Sequence, residues 1–197
     1  MSPYETREHE ELLHAMAVSP QADETCPEMQ ELTKWLGIYG QLTVGDMSWS
    51  YRSFADLVAD HGRFYRPAPW PVTDPHQPGH CFRAAGEWAD RTGWTYVEGF
   101  ALVPSAPPFT VFEHAWCITH EGHVADPALP DGTATGYLGL ALDADFRRGQ
   151  QRARGTDAVF VSDPSNPLAG INEQILRAGL PKHALRTDSL PNQRERT

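Results

Sequence analysis

Three residues in this chain are of the types needed for covalent catalysis. Cys81 opens the stretch C-F-R-A-A-G-E-W-A-D-R-T-G, His114 lies inside T-V-F-E-H-A-W-C-I-T, and Asp126 follows in H-V-A-D-P. A thiol, an imidazole and a carboxylate are the parts of a nucleophile, its base and the group that orients the base. Singly, each has a blander reading. A free cysteine is usually a small buried hydrophobe, a strand histidine is commonly structural, and Asp-Pro is ordinary turn chemistry. Their value depends on the elements that carry them.

Periodicity supplies those elements. From Cys81 to about Arg91, helical spacing puts Cys81, Ala84, Ala85, Trp88 and Ala89 on one face, with Arg83, Glu87, Asp90 and Arg91 opposite. Gly93 supplies the stop. Cys81 then stands at a helix N-terminus, where free N–H groups and the helix dipole favour a thiolate. Residues 94–103 alternate as a strand, with Tyr96, Glu98 and Phe100 on one face. Glu98, between two aromatics, either lines a pocket or points to solvent. Residues 110–119 form the next strand, with His114, Trp116 and Ile118 on one face and Glu113, Ala115 and Cys117 on the other.

Whether His114 and Asp126 meet depends on the turn between their strands. A two-residue loop, Glu121-Gly122, pairs Cys117 with Asp126 and puts the carboxylate on the wrong face. A three-residue loop, His120-Glu121-Gly122, pairs Trp116 with Asp126 and puts it on the face of His114. The longer loop wants glycine in its last, left-handed position, and Gly122 is there. The pattern therefore predicts a His114–Asp126 dyad, with the Cys81 helix packed across that same face.

The rest of the chain must position these parts. Helices are predicted over 3–17, from Pro27 to Gly37 or Gly40, and from a Ser53 cap to His61-Gly62. The proline-rich run from Arg66 to Gly79 delivers the chain rigidly to Cys81. Two more strands are expected at 136–142 and 158–162, and a helix from about Leu168 to Ala178. The cluster Arg147, Arg148, Arg152 and Arg154 reads as a solvated loop, and the polar tail from Lys182 as disordered. The sum is an α+β fold: a Cys-bearing helix on an antiparallel sheet of about five strands, with extra N-terminal helices. Residues 1–181 form one domain, with a helical part over 1–65 and the catalytic core over 66–181.

Composition bounds the partners. The 197 residues are 40% hydrophobic, enough for one core, and the net charge of −10 disfavours nucleic acid and anionic membranes. Three cysteines without framework spacing imply reduced thiols and a cytoplasmic setting. The charged N-terminus does not resemble a signal peptide, and no apolar run reaches membrane-spanning length.

The segments C-F-R-A-A at 81–85, Y-V-E-G-F-A at 96–101, H-A-W-C at 114–117 and V-A-D-P at 124–127 resemble the transglutaminase-like branch of the papain-like superfamily. That branch includes arylamine N-acetyltransferases and many bacterial amide hydrolases. The wording is similar to that of uncharacterised actinobacterial and phage proteins of this type, over residues 79–140. The resemblance implies that Cys81 is the nucleophile, His114 the base and Asp126 the orienter. It implies a hydrolase or acyltransferase that needs no cofactor and acts on a small-molecule or peptide-like amide, ester or thioester. A glutamine before the cysteine helps bind the oxyanion in papain-like proteases, and Gln77 lies in that region at a different offset. Gln77, Glu98 and Trp116 are the candidate substrate-binding residues. Two other readings stand beside this one: a zinc site from His114, Cys117, His120 and His123, and a non-enzymatic binding module on the same fold.

Overall fold

A computed structural model describes residues 26–42, 45–69, 79–163 and 166–186. The helix expected over 3–17 and the candidate Gln77 lie outside the described residues. Helix α1 runs Pro27–Leu42, α2 Phe54–His61, and a short strand β1 follows at Arg63–Tyr65. Helix α3 is Cys81–Thr92. Strands β2 (Thr95–Leu102), β3 (Val111–Ile118), β4 (Val124–Ala125) and β5 (Gly136–Ala141) come next. Helix α4 (Ala144–Arg154), a 3-10 turn at Pro167–Ala169 and helix α5 (Glu173–Ala178) complete the order. The strands form one antiparallel sheet in the order β1-β5-β2-β3-β4. An α+β architecture on a five-stranded antiparallel sheet is what the sequence pattern predicts.

The local signals act where they stand. The Ser53 hydroxyl accepts from the Asp56 N–H at 2.9 Å and starts α2. The Gly62 N–H closes α2 on the Val58 carbonyl. Gly93 ends α3 in the left-handed region at φ 73°. Gly37 and Gly40 do not stop α1, which runs through them to Leu42. A Cβ at Gly40 would come within 2.9 Å of an Asp56 carboxyl oxygen, so this glycine serves the close approach of α1 to α2.

Both sheet faces are covered. On one, α1, α2 and α3 pack against Tyr96, Phe100, Ala115, Cys117, Leu138 and Leu140. On the other, Val97, Ala101, Trp116, Ile118 and Tyr137 form a second apolar layer with Val124 and Ala134. Strand β4 pairs with β3 only at Cys117 and Ile118, so the first part of β3 is the sheet's outer edge.

Four expectations are corrected. Residues 158–162 are not a sheet strand. Their backbone is held instead by two side chains: the buried Glu98 carboxylate accepts from the Val159, Phe160 and Val161 N–H groups, while the Arg154 guanidinium donates to the carbonyls of Ala158, Val159 and Val161. A buried loop must satisfy its polar backbone, and here an acid takes the donors and a base takes the acceptors. The arginine cluster is therefore not a solvated loop: it lies on helix α4, capped by the Asp143 side chain. Arg147 is buried, and Arg154 is the clamp. The helix expected over 168–178 is divided into a 3-10 turn and the shorter α5. Finally, residues 182–186 are packed structure, with Ala184 buried, the Asp143 N–H on its carbonyl and the Arg186 N–H on the Ala141 carbonyl. The remaining tail, from residue 187, lies outside the described residues.

Candidate active site

The hairpin fixes the dyad. Strand β3 meets β4 as Cys117 opposite Ala125 and Ile118 opposite Val124, and the Thr119 N–H closes on the His123 carbonyl at 2.9 Å. The loop is therefore His120-Glu121-Gly122, with Gly122 at φ 88°, a conformation that favours glycine. That register places Asp126 on the face of His114, and the two side chains meet: His114 Nε2 is 2.7 Å from Asp126 Oδ2. Both are buried.

Asp126 does two jobs with two oxygens. Its Oδ1 accepts the Ala128 and Leu129 N–H groups at 2.8 and 2.9 Å, which is the turn chemistry typical of Asp-Pro. Its Oδ2 accepts the His114 Nε2–H and the Tyr137 hydroxyl, the latter at 3.0 Å. Burial works to raise this carboxyl, but the charge and hydrogen bond of His114 and the two N–H groups outweigh it and hold the group below its ordinary value. The same pairing acts on the imidazole. Burial works to lower its pKa, while the Asp126 charge, the Asp126 hydrogen bond and a hydrogen bond to Cys81 raise it to about 10.

That last contact joins the third member. With Nε2 committed to Asp126, Nδ1 is the ring nitrogen left for Cys81, whose side chain acts on the imidazole. The route differs from expectation. Helix α3 packs on the opposite sheet face from His114, because the Cys117 thiol on that face donates to the Ala85 carbonyl at 3.2 Å. Cys81 therefore reaches the ring from the helix start, beside the stretch of β3 that has no outer strand partner. Both faces of β3 are apolar, so alternation alone does not say which one the helix covers.

Among the described residues no side chain caps the start of α3. His80, in the N-cap position, makes no side-chain cap bond, and no acid stands in the first turn. Cys81 is the first residue of α3, so its sulfur stands at the N–H end of the helix. By contrast α2 and α4 spend their first N–H groups on Ser53 and Asp143.

Two candidates from the sequence have other work. Glu98 neither lines a pocket nor meets solvent: it is fully buried and accepts from the Tyr96 hydroxyl at 2.9 Å as well as from the 159–161 loop. Trp116 is fully buried too, its indole stacked 6.3 Å from the His114 ring and tilted against Tyr137 at 4.9 Å. Cys117 is a structural thiol; burial pushes it up to about 12. Three of the four residues of the zinc reading have other partners. Cys117 faces α3, His114 faces Asp126, and His120 bonds the Thr92 carbonyl at 3.3 Å. Among the described residues no group of three His, Cys, Asp or Glu side chains is arranged to hold a metal.

Two contributors were not foreseen. Tyr137 fixes Asp126 from across the sheet. Gly139 makes room for Trp116, since a Cβ there would lie 2.6 Å from the indole edge. A glycine within a strand signals such a close approach, and G-Y-L-G-L-A carries that signal.

Among the described residues, no helix is long and apolar enough to cross a membrane. Protein-family models, curated proteins and solved structures offer no match to this chain.

Proposed function

We propose that the protein is a cysteine-dependent hydrolase or acyltransferase of the transglutaminase-like, papain-like kind. It acts on amides, esters or thioesters through Cys81, His114 and Asp126. The observation that carries this reading is the buried His114–Asp126 pair at 2.7 Å, with the Cys81 side chain acting on the same imidazole. A structural histidine needs one partner. This one has a carboxylate on one nitrogen, and a thiol acts on the same ring.

The roles follow from the geometry. Asp126, ionised and held by four donors, keeps the proton on Nε2 and leaves Nδ1 to take the Cys81 proton. The sulfur attacks the substrate carbonyl, and the carbonyl oxygen becomes an oxyanion facing the uncapped N–H groups at the start of α3. His114 then gives its proton to the leaving amine, alcohol or thiol as the tetrahedral intermediate collapses to a Cys81 acyl-enzyme. Water or an amine, deprotonated by His114, attacks the thioester, releases the acyl group and returns the proton to sulfur. No cofactor enters these steps. The three cysteines are free thiols, which suits a reducing compartment such as the cytoplasm.

The test uses an activated ester such as p-nitrophenyl acetate. A burst of p-nitrophenolate, with the acetyl group mapped by mass spectrometry to Cys81 and absent from Cys81→Ala, is the expected result. Acetylation of Cys26 or Cys117 instead, or no burst, would count for a binding module on this fold.

A further inference from the structure

The carboxyl end of helix α3, away from Cys81, opens on a cleft of about 660 Å³. Asp90, on its wall, follows Cys81 by nine positions, which is about 13 Å along the helix. The volume falls within the range of small-molecule sites. The other walls are the start of α4 and the segment 182–186, and backbone bonds tie them to the sheet and to each other. The Leu142 N–H meets the Tyr96 carbonyl, the Asp143 N–H the Ala184 carbonyl, and the Arg186 N–H the Ala141 carbonyl. The cleft is therefore built into the fold.

Its charge runs against that of the chain. Four cations, Arg147, Arg148, Lys182 and Arg186, line it against two carboxylates, Asp90 and Asp143, while the whole chain carries −10. Both carboxylates are engaged. Asp143 caps α4 by accepting the Asp145 and Phe146 N–H groups, and Asp90 accepts from Arg147 and Arg148. Arg148 also reaches the exposed Asp145, outside the lining. Arg147 is the buried member of the four. Its guanidinium stands 5.5 Å over the Tyr96 ring, and its Nε has no hydrogen-bond partner among the described residues. A shared, half-exposed carboxylate offsets only part of what it costs to bury that charge, and an anion in the cleft would supply more. Trp94 and Leu185, both half-buried, and the buried Leu142 add an apolar wall.

We propose that this cleft binds a small organic dianion: a phosphate monoester or a pair of carboxylates on an aromatic or apolar body. Cations exceed carboxylates by two among the lining residues, which matches a doubly charged head. The apolar wall takes the body. The site is separate from Cys81 and does not rest on its role in catalysis.

Nitrogen–proton correlation spectra of the full chain follow titrations with phenyl phosphate, isophthalate and benzyl alcohol. At about pH 7.5 a phosphate monoester carries a charge of about −2, and salt of about 0.15 M screens the general field of the surface. Saturable shifts centred on Gly93, Trp94, Thr95, Leu142 and Leu185 are expected, with a dianion bound at least about tenfold more tightly than benzyl alcohol. The tighter of the two dianions assigns the head as phosphate or paired carboxylates. Arg148→Gln combined with Lys182→Gln, both at exposed positions, weakens that binding at least about fivefold. Arg52→Gln, exposed and outside the cleft, leaves it unchanged. The same spectra report whether the variants stay folded. Dianions that bind no better than benzyl alcohol, shifts scattered over the surface, or full affinity in the double variant overturn the proposal. So does the lack of any saturable shift, as when another stretch of the chain fills the cleft.

Discussion

Replacing Asp126 by Asn separates positioning from packing. The amide can keep its carbonyl oxygen toward the Ala128 and Leu129 N–H groups, so the turn at Asp126-Pro127 survives. Its NH₂ then takes the place of Oδ2, which accepted from His114 Nε2 and the Tyr137 hydroxyl. Two charge-assisted bonds of about 1.5–3 kcal/mol each are lost, and Tyr137 recovers part by rotating to accept from the amide. The net cost is about 2–4 kcal/mol, or a fall in melting temperature of roughly 5–15 °C. Catalysis suffers far more. An amide donor at Nε2 forces the proton to Nδ1, so the ring presents a donor to Cys81 and cannot take the thiol proton. With the counter-charge gone, the largest influence that raised the imidazole is lost and burial pulls its pKa down from about 10. The acylation burst with p-nitrophenyl acetate should slow by about 10³–10⁴-fold. Urea denaturation at neutral pH supplies the folding control. An Asn variant that folds and acylates within a few-fold of wild type would refute the reasoning.

Three other outcomes follow from the same geometry. The His114–Asp126 pair makes stability depend on pH: the raised imidazole contributes fully below about 6.5 and loses its contribution as pH rises through about 10, whereas the depressed carboxyl contributes above about 4 and loses it as pH falls. The stability gap between wild type and Asp126→Asn in urea should therefore be widest from about pH 4 to 6.5 and narrow toward pH 10; a gap that widens toward pH 10 would contradict the pairing. Glu98→Gln turns an amide NH₂ toward backbone N–H groups that now find a carboxylate, and should cost about 2–4 kcal/mol by urea titration; a neutral result would mean that the 159–161 loop is held by something else. Gly139→Ala forces its methyl against the Trp116 indole, with an expected cost of about 1–3 kcal/mol and a slower burst as Trp116 shifts against His114; full stability and full activity would refute that role.

The legible parts of the fold had local, punctuated signals. Ser53, Gly62 and Gly93 bound their helices, and Gly122 set the register that brings Asp126 to His114. What was not legible depended on distant partners. A run such as Ala158-Val-Phe-Val161 has the apolar character of a buried strand, yet its hydrogen bonds go to Glu98, far away in sequence, and to Arg154. Helix α4 lacks a clear apolar stripe because Arg147 does buried work on Asp90 of α3. Its end signals, Asp143 and Gly155, were present and could have revealed it. Strand β1 is three residues between a helix stop and a proline run, too short for a period-two pattern to register. The face on which α3 lies was undetermined because β2 and β3 are apolar on both sides.

The central claim is that His114 activates Cys81, and the direct measurement is the rate at which iodoacetamide alkylates Cys81 under limiting reagent. Site-resolved mass spectrometry of wild type and His114→Ala gives that rate beside those of Cys26 and Cys117. The account predicts that Cys81 reacts first and faster than free cysteine at neutral pH, and that His114→Ala removes the advantage while the chain stays folded. Labelling of Cys26 or Cys117 ahead of Cys81, or a Cys81 rate indifferent to His114, would contradict it.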